Sequence, residues 1–291
     1  MRYRVHLCIL VLSGLLISFS PEAFACRMYG IVSDRMAGEI LDEHLSEFRN
    51  FGASNANGWA IGYFFNEKSC CKLNWPVVRR GGPRSTEDPD YDLAKLEAMN
   101  QNPRALIAHV RTATSGHSGV PDPHPFMEPD WLFAHNGSID RPTLIDLIGS
   151  DYLDDHQPDY TSPNIDSELY FIYLIKTIEE WSEDAALSRS STTIEDAIRH
   201  AVSELDIALN AGDHNSELTF LLSNGEKLWG CRYADVNPNY YTLHYSWPLP
   251  GNNWAVASEP VSNDNWTLIP MYHVITFEPG KRLLYTAIPH Q

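Results

Sequence analysis

Apolar positions recur along the chain in two rhythms. From Gly38 to Arg49 they fall at Ile40, Leu41, His44, Leu45 and Phe48, the three-to-four spacing that lines one side of a helix. Ser167 to Trp181 repeats the pattern through Leu169, Ile172, Ile175 and Ile178, again a helical stripe. Thr193 to Leu209 reads as another long helix and Tyr91 to Met99 as a short one. The second rhythm is short apolar runs bounded by turn residues, which predict strands over Met28–Val32, Trp59–Phe65, Ala105–Val110 and Trp131–Ala134. The last third predicts five more, over Leu218–Leu222, Lys227–Tyr233, Trp254–Ala257, His273–Phe277 and Arg282–Ala287. Asn224-Gly225 between the first two is a hairpin turn signal. Breaker-rich Gly81–Asp90 and Ser115–Pro129 read as loops. Strands, a helical middle and strands again indicate an α+β fold with antiparallel sheets rather than a doubly wound parallel one.

The amino terminus follows a different logic. Arg2 and Arg4 precede an uncharged apolar run from Leu7 to Phe19, then Pro21, Glu22 and Ala23-Phe24-Ala25. Charged start, apolar core and small-x-small end are the parts of a secretory signal peptide. The run is shorter than the ~20 residues a spanning helix needs, so the bland alternative is a short buried helix. The reading divides the chain into a signal peptide, 1–25, and one domain, 26–291, exported to a periplasmic or external space with no membrane span. A lipoprotein cut before Cys26 is a second reading, but Phe24 stands where a small residue is usual and Ala23 where leucine is.

Composition narrows the function. The chain is 43% hydrophobic and 20% charged, as globular domains are. Its net charge of −17 repels phosphate backbones, so no nucleic-acid partner is expected. After cleavage, Cys26, Cys70, Cys71 and Cys231 remain. If Cys26 stays free, the simplest disulfide joins Cys231 to Cys70 or Cys71. His109, His117, His124 and His135 match no familiar ligand spacing, so neither metal nor other cofactor is expected.

Four places can carry chemistry. Cleavage before Cys26 would give its thiol a neighbouring α-amine; reference pKa values are ~8.5 for the thiol and ~7.7–8.0 for the amine. Nucleophile and base would then reside in one residue. Arg111 closes a buried strand and leads into Thr112-Ala113-Thr114. An arginine fork holds carboxylates and a threonine hydroxyl beside it could help fix the ligand, although a surface ion pair is the blander role for Arg111. His135-Asn136-Gly137 offers a side-chain amide and a glycine N–H that can converge as an oxyanion hole, although Asn-Gly is also an ordinary turn. Asp166 opens the helix through Leu169, fit to bind an ammonium group or to act as an N-cap.

Taken together, these segments resemble the class II glutamine amidotransferases, which are N-terminal-nucleophile hydrolases. Tyr29-Gly30-Ile31 after the cysteine, His124-Pro125-Phe126 and Val256-Ala257-Ser258-Glu259-Pro260 add to the resemblance, which runs from Cys26 to about Pro279. It implies a four-layer αββα sandwich of two antiparallel sheets between helix layers. It implies that Cys26 attacks the side-chain amide of glutamine or a γ-glutamyl amide, with Asn136 and Gly137 as the oxyanion hole. Arg111 would hold the substrate α-carboxylate, Thr114 would line the same pocket, and Asp166 would bind the α-ammonium. The chain departs from most relatives in starting at a signal peptide, in having Ser115 where they carry a bulkier polar residue, and in lacking an attached synthase domain. A stand-alone hydrolase of a small molecule is the expectation; passing ammonia on would require a separate acceptor enzyme. A non-catalytic amino-acid-binding protein of the same fold is the rival from another class.

Overall fold

In a computed structural model, the residues described are 26–34, 38–65, 75–156, 165–188, 193–250 and 252–290. The predicted signal peptide, Cys70 and Cys71 lie outside them. In chain order the elements are β1 (Arg27–Val32), α1 (Gly38–Asn50), β2 (Trp59–Tyr63), β3 (Val77–Gly81), α2 (Pro89–Gln101) and β4 (Ala105–Val110). Next come β5 (Phe126–Glu128), β6 (Trp131–Asn136), α3 (Arg141–Ile148), α4 (Ser150–Asp155), α5 (Asp166–Ser188) and α6 (Ile194–Ala211). The chain finishes with β7 (Thr219–Ser223), β8 (Leu228–Arg232), β9 (His244–Leu249), β10 (Asn253–Ala257), β11 (Trp266–Leu268), β12 (His273–Phe277) and β13 (Leu284–Ala287).

The strands form two antiparallel sheets, ordered β11-β9-β10-β1-β4-β2-β3 and β13-β12-β8-β7-β6-β5. Side chains alternate across each strand, so odd and even positions serve different layers. In β1, Tyr29 and Ile31 face α1 and α2, packing with Leu41, Leu45, Phe48 and Tyr91. Met28 and Val32 face the other sheet and meet Leu132, Ala134, Leu221, Leu228 and Phe277. On the far side, Phe133, Phe220 and Trp229 pack with Phe171, Ile198 and Leu205 of the helices. The layers are therefore helices, sheet, sheet, helices, the αββα sandwich that the resemblance implied. Central strands buried on both faces explain the unbroken apolar runs in the sequence. Gly30 keeps the sheets close: a Cβ there would lie 3.0 Å from a Leu228 methyl.

Local chemistry sets several boundaries. Asp88 caps α2 by accepting from Asp90 N–H, with Pro89 at the first turn. Thr193 and Asp196 form a reciprocal capping box that starts α6. Gly225 takes φ 81° in the expected hairpin turn.

The structure also corrects the sequence reading. Strand β5 lies inside the segment read as loop, and α3, α4, β3, β9 and β11 were not anticipated. Three-residue strands such as β11 are too short to show a period, and only two of the five residues of β3 are aliphatic. Helix α5 extends beyond Trp181 to Ser188. Among the described residues Cys231 is a free thiol, and its expected partners, Cys70 and Cys71, lie outside them. It points from β8 into the helix-facing core, where burial pushes its pKa up. Among the described residues, no helix is long and apolar enough to cross a membrane.

Candidate active site

The pairing of β1 with β4 sets Arg27 opposite Val110 and Met28 opposite His109. One step further brings Cys26 to Arg111, at the end of the inter-sheet space. The Cys26 sulfur accepts from Thr112 N–H at 3.4 Å and lies 3.3 Å from Thr112 O, to which the thiol donates. Residues on either side hold the start of β1. Met28 N–H donates to Ser258 Oγ at 3.0 Å, and Ser258 N–H donates to Met28 O at 2.9 Å. Arg27 pairs with Glu259. Burial raises the Cys26 thiol pKa, opposed by the Thr112 N–H, Arg111 and Arg27, while Asp166 adds to the rise. The thiol therefore needs a base. In the chain as a whole the Cys26 nitrogen is an amide and cannot serve; an amine at that position would have suitable basicity.

Arg111 is buried and already engaged. Its guanidinium donates to His117 O and, at 2.5 Å, to Ser115 O, with Asp122 Oδ2 at 3.9 Å. His117 N–H donates to the same Asp122 carboxylate, so residues 115–122 wrap around the arginine. Thr114 is exposed on this loop. The loop is pinned from β2's side by two residues that the sequence reading missed. Asn55 Oδ1 accepts from Thr112 Oγ1 at 2.8 Å, and Asn57 Oδ1 accepts from Ala113 N–H at 2.9 Å. The only sequence signal is Asn55-Ala56-Asn57-Gly58, an ordinary turn composition.

The third cluster comes from the second sheet. Asn136 ends β6 with the same strand parity as Leu132 and Ala134, so it faces the inter-sheet space. It is buried, and its amide nitrogen has no hydrogen-bond partner among the described residues. A buried donor left unpaired costs ~1–3 kcal/mol, a cost that a binding function explains. Gly137 follows against Glu217: an added Cβ would sit 1.9 Å from Glu217 O. The His135 ring bonds Ser167 Oγ at 2.9 Å through Nδ1 and Glu217 O at 2.8 Å through Nε2. A carbonyl only accepts, so His135 carries its proton on Nε2.

Asp166 opens α5, buried, and connects the clusters. One oxygen accepts from Ser115 Oγ at 3.0 Å and the other from Ile139 N–H at 2.9 Å. It thereby ties the arginine loop to the segment after Gly137. The sequence-named residues thus gather at one end of the two-sheet interior. Cys26, Arg111, Asn136, Gly137 and Asp166 line or brace it, and Thr114 lies on the loop at its rim.

The family model for glutamine amidotransferases class-II matches residues 25–245. A γ-glutamyl-hercynylcysteine sulfoxide hydrolase of Mycolicibacterium smegmatis is 26% identical over 247 residues, 84% of this chain and 88% of that one. A putative glutamine amidotransferase of Haemophilus influenzae is 28% identical over 203 residues, 61% of each chain. Among solved structures, a glutamine aminotransferase class-II domain protein from Silicibacter pomeroyi superposes with TM-score 0.60 at 16% identity, over 90% of this chain and 99% of that one. An allosteric regulatory enzyme of purine biosynthesis gives TM-score 0.59 at 16% identity, over 91% of this chain and 50% of that one. These two superpositions share the fold, and the family match extends over most of the chain: it belongs to the class-II glutamine amidotransferases, and is an amidohydrolase-type enzyme.

Proposed function

We propose that the protein hydrolyses a γ-glutamyl amide, with Cys26 as an N-terminal nucleophile released by removal of residues 1–25 in an exported protein. The observation that carries this reading is the buried Asn136 amide, without a hydrogen-bond partner among the described residues, on the inter-sheet face at the end where Cys26 precedes β1. A buried donor with no protein acceptor suits an oxyanion that exists only during reaction.

The steps follow from the chemistry. The freed amine takes the Cys26 proton, and the sulfur attacks the γ-carbonyl carbon. Asn136 and the Gly137 N–H stabilise the tetrahedral oxyanion. The C–N bond breaks, the ammonium form of Cys26 returns a proton to the leaving nitrogen, and a glutamyl thioester remains. Water then attacks the thioester and releases glutamate. The substrate's α-ammonium fits Asp166, and its α-carboxylate fits Arg111 and the loop carrying Thr114. The charge need is met on both ends of a zwitterion. Support for hydrolysis of a γ-glutamyl amide, rather than ammonia transfer, comes from the mycobacterial relatives, whose names describe γ-glutamyl hydrolases.

The test uses three proteins: one beginning at Cys26, one retaining Ala25, and Cys26→Ala. Turnover of glutamine and γ-glutamyl anilide should appear in the first alone. Equal turnover in the Ala25-retaining protein would remove the amine from the mechanism, and turnover in Cys26→Ala would remove the nucleophile.

A further inference from the structure

Strand β5 pairs with β6 through Phe126↔Phe133, Met127↔Leu132 and Glu128↔Trp131. Continuing that register by two residues sets residue 124 opposite His135. The ladder does not reach that far, because β5 begins at Phe126. A side chain takes its place: His124 Nδ1 accepts the His135 N–H at 3.2 Å. The next residues on β6 are Asn136 and Gly137. On its other flank, β6 pairs with β7 to the end, with His135 opposite Phe220 and Asn136 opposite Thr219.

We propose that His124 is a positioning residue for the oxyanion hole: its ring supplies the strand acceptor that β5 lacks, and so fixes the backbone from which Asn136 and Gly137 project. This rests on the assignment of Asn136 and Gly137 as oxyanion donors above. The surroundings hold the ring in place. His124 is buried, stacks on His109 at 4.2 Å and 25°, and meets Phe126 at 4.7 Å. Its acceptor role requires a neutral ring with the proton on Nε2. Burial, joined by His109 and Arg111, holds its pKa well below the ordinary histidine range, so the Nδ1 lone pair persists at neutral pH. His135 fixes the opposite flank of the same turn through Glu217 O. The two histidines thus act on different atoms: His124 on the β6 backbone, and the His135 ring on the Glu217 carbonyl just before β7.

The decisive comparison places an acceptor at the Nδ1 position or removes it. In His124→Asn the side-chain oxygen can occupy the Nδ1 position. In His124→Gln it reaches the Nε2 position instead, and in His124→Phe there is no acceptor. Proteins expressed from the full-length sequence and recovered with Cys26 as first residue would be assayed on γ-glutamyl anilide. Cys26 alkylation by iodoacetamide would be followed in parallel, since that reaction needs no oxyanion hole. The Phe and Gln variants should lose about 10–100-fold in kcat, a fraction of the ~10²–10³ for deleting a donor, with KM within about twofold. Their alkylation rates should match the parent. His124→Asn should recover most of kcat. Parent-like kcat in both Phe and Gln variants overturns the proposal. So does Asn no better than Gln, or a parallel loss in alkylation rate and KM, which would mark general disruption. If Phe fails to fold, the Asn–Gln contrast decides alone. A parent protein that alkylates but turns over no γ-glutamyl substrate would instead defeat the functional reading itself.

Discussion

At the residue scale, the site combines groups already engaged by the protein, such as Arg111 and Asp166, with groups that are not. Asn136 is the clearest. Its amide nitrogen is buried without a partner among the described residues, so Asn136→Ala removes an unsatisfied group that is also the proposed oxyanion donor. The expected result is a kcat lower by ~10²–10³-fold with a Tm equal to or above the parent. A thermal melt and steady-state kinetics check both; a variant that loses stability while keeping kcat would show that Asn136 serves folding instead. Gly137 is the complementary case. Any Cβ there meets the Glu217 carbonyl at 1.9 Å, so Gly137→Ala must move backbone. It should cost ~1–3 kcal/mol in chemical denaturation and lower kcat, where a neutral outcome would mean that the turn has room to relax.

At the element scale, legibility in the sequence tracks how much of a pattern each element carries. Helices α1 and α6 were readable because each spans several turns with one buried face; α5 was readable from its length and helically spaced apolar residues, although Asp166 to Ile175 are buried on every side. Strands β1, β4 and β6 were readable because both of their faces are buried, so their apolar runs are broken only near the strand ends, by His109 in β4 and by His135 and Asn136 in β6. Short α3 and α4, half-exposed β3 and three-residue β5 and β11 lack any such period. The site divides in the same way. Cys26, Arg111, Asn136, Gly137 and Asp166 were legible because they sit at the ends of strong elements. Asn55 and Asn57 were not, since their role is a contact with a loop distant in sequence. Nor was the engagement of Arg111 by the Ser115 and His117 carbonyls, which depends on how that loop closes. Caps are testable separately from chemistry. Thr193→Ala breaks the α6 capping box and should cost ~0.5–2 kcal/mol with kcat/KM unchanged. A change in activity would reveal coupling between α6 and the site.

At the scale of the whole molecule, two facing sheets place a polar seam inside an apolar interior. His109 and His124 stack there, both with pKa values held well below the ordinary range by burial, with nearby positive groups contributing. In the unfolded chain each would titrate near ~6.5. As pH falls below that value, the unfolded chain takes up protons that the folded molecule refuses. Stability is therefore full above ~6.5 and declines as pH is lowered towards the depressed folded pKa values, by up to ~1.4 kcal/mol per pH unit for each histidine. Denaturant midpoints between about pH 7 and pH 5, above the main carboxylate range, should fall accordingly. The fall should be shallower in His124→Asn, and a flat profile would show that the seam is protonated without cost.

The proposed chemistry turns on one covalent bond, between Cys26 and a glutamyl group. The most direct measurement is intact mass of the protein after mixing with excess γ-glutamyl anilide and quenching in acid. A protein that begins at Cys26 should gain the mass of one glutamyl acyl group, located to the Cys26 peptide and absent when Ala25 is retained. Turnover with no such adduct, or an adduct on any other residue, would contradict the account.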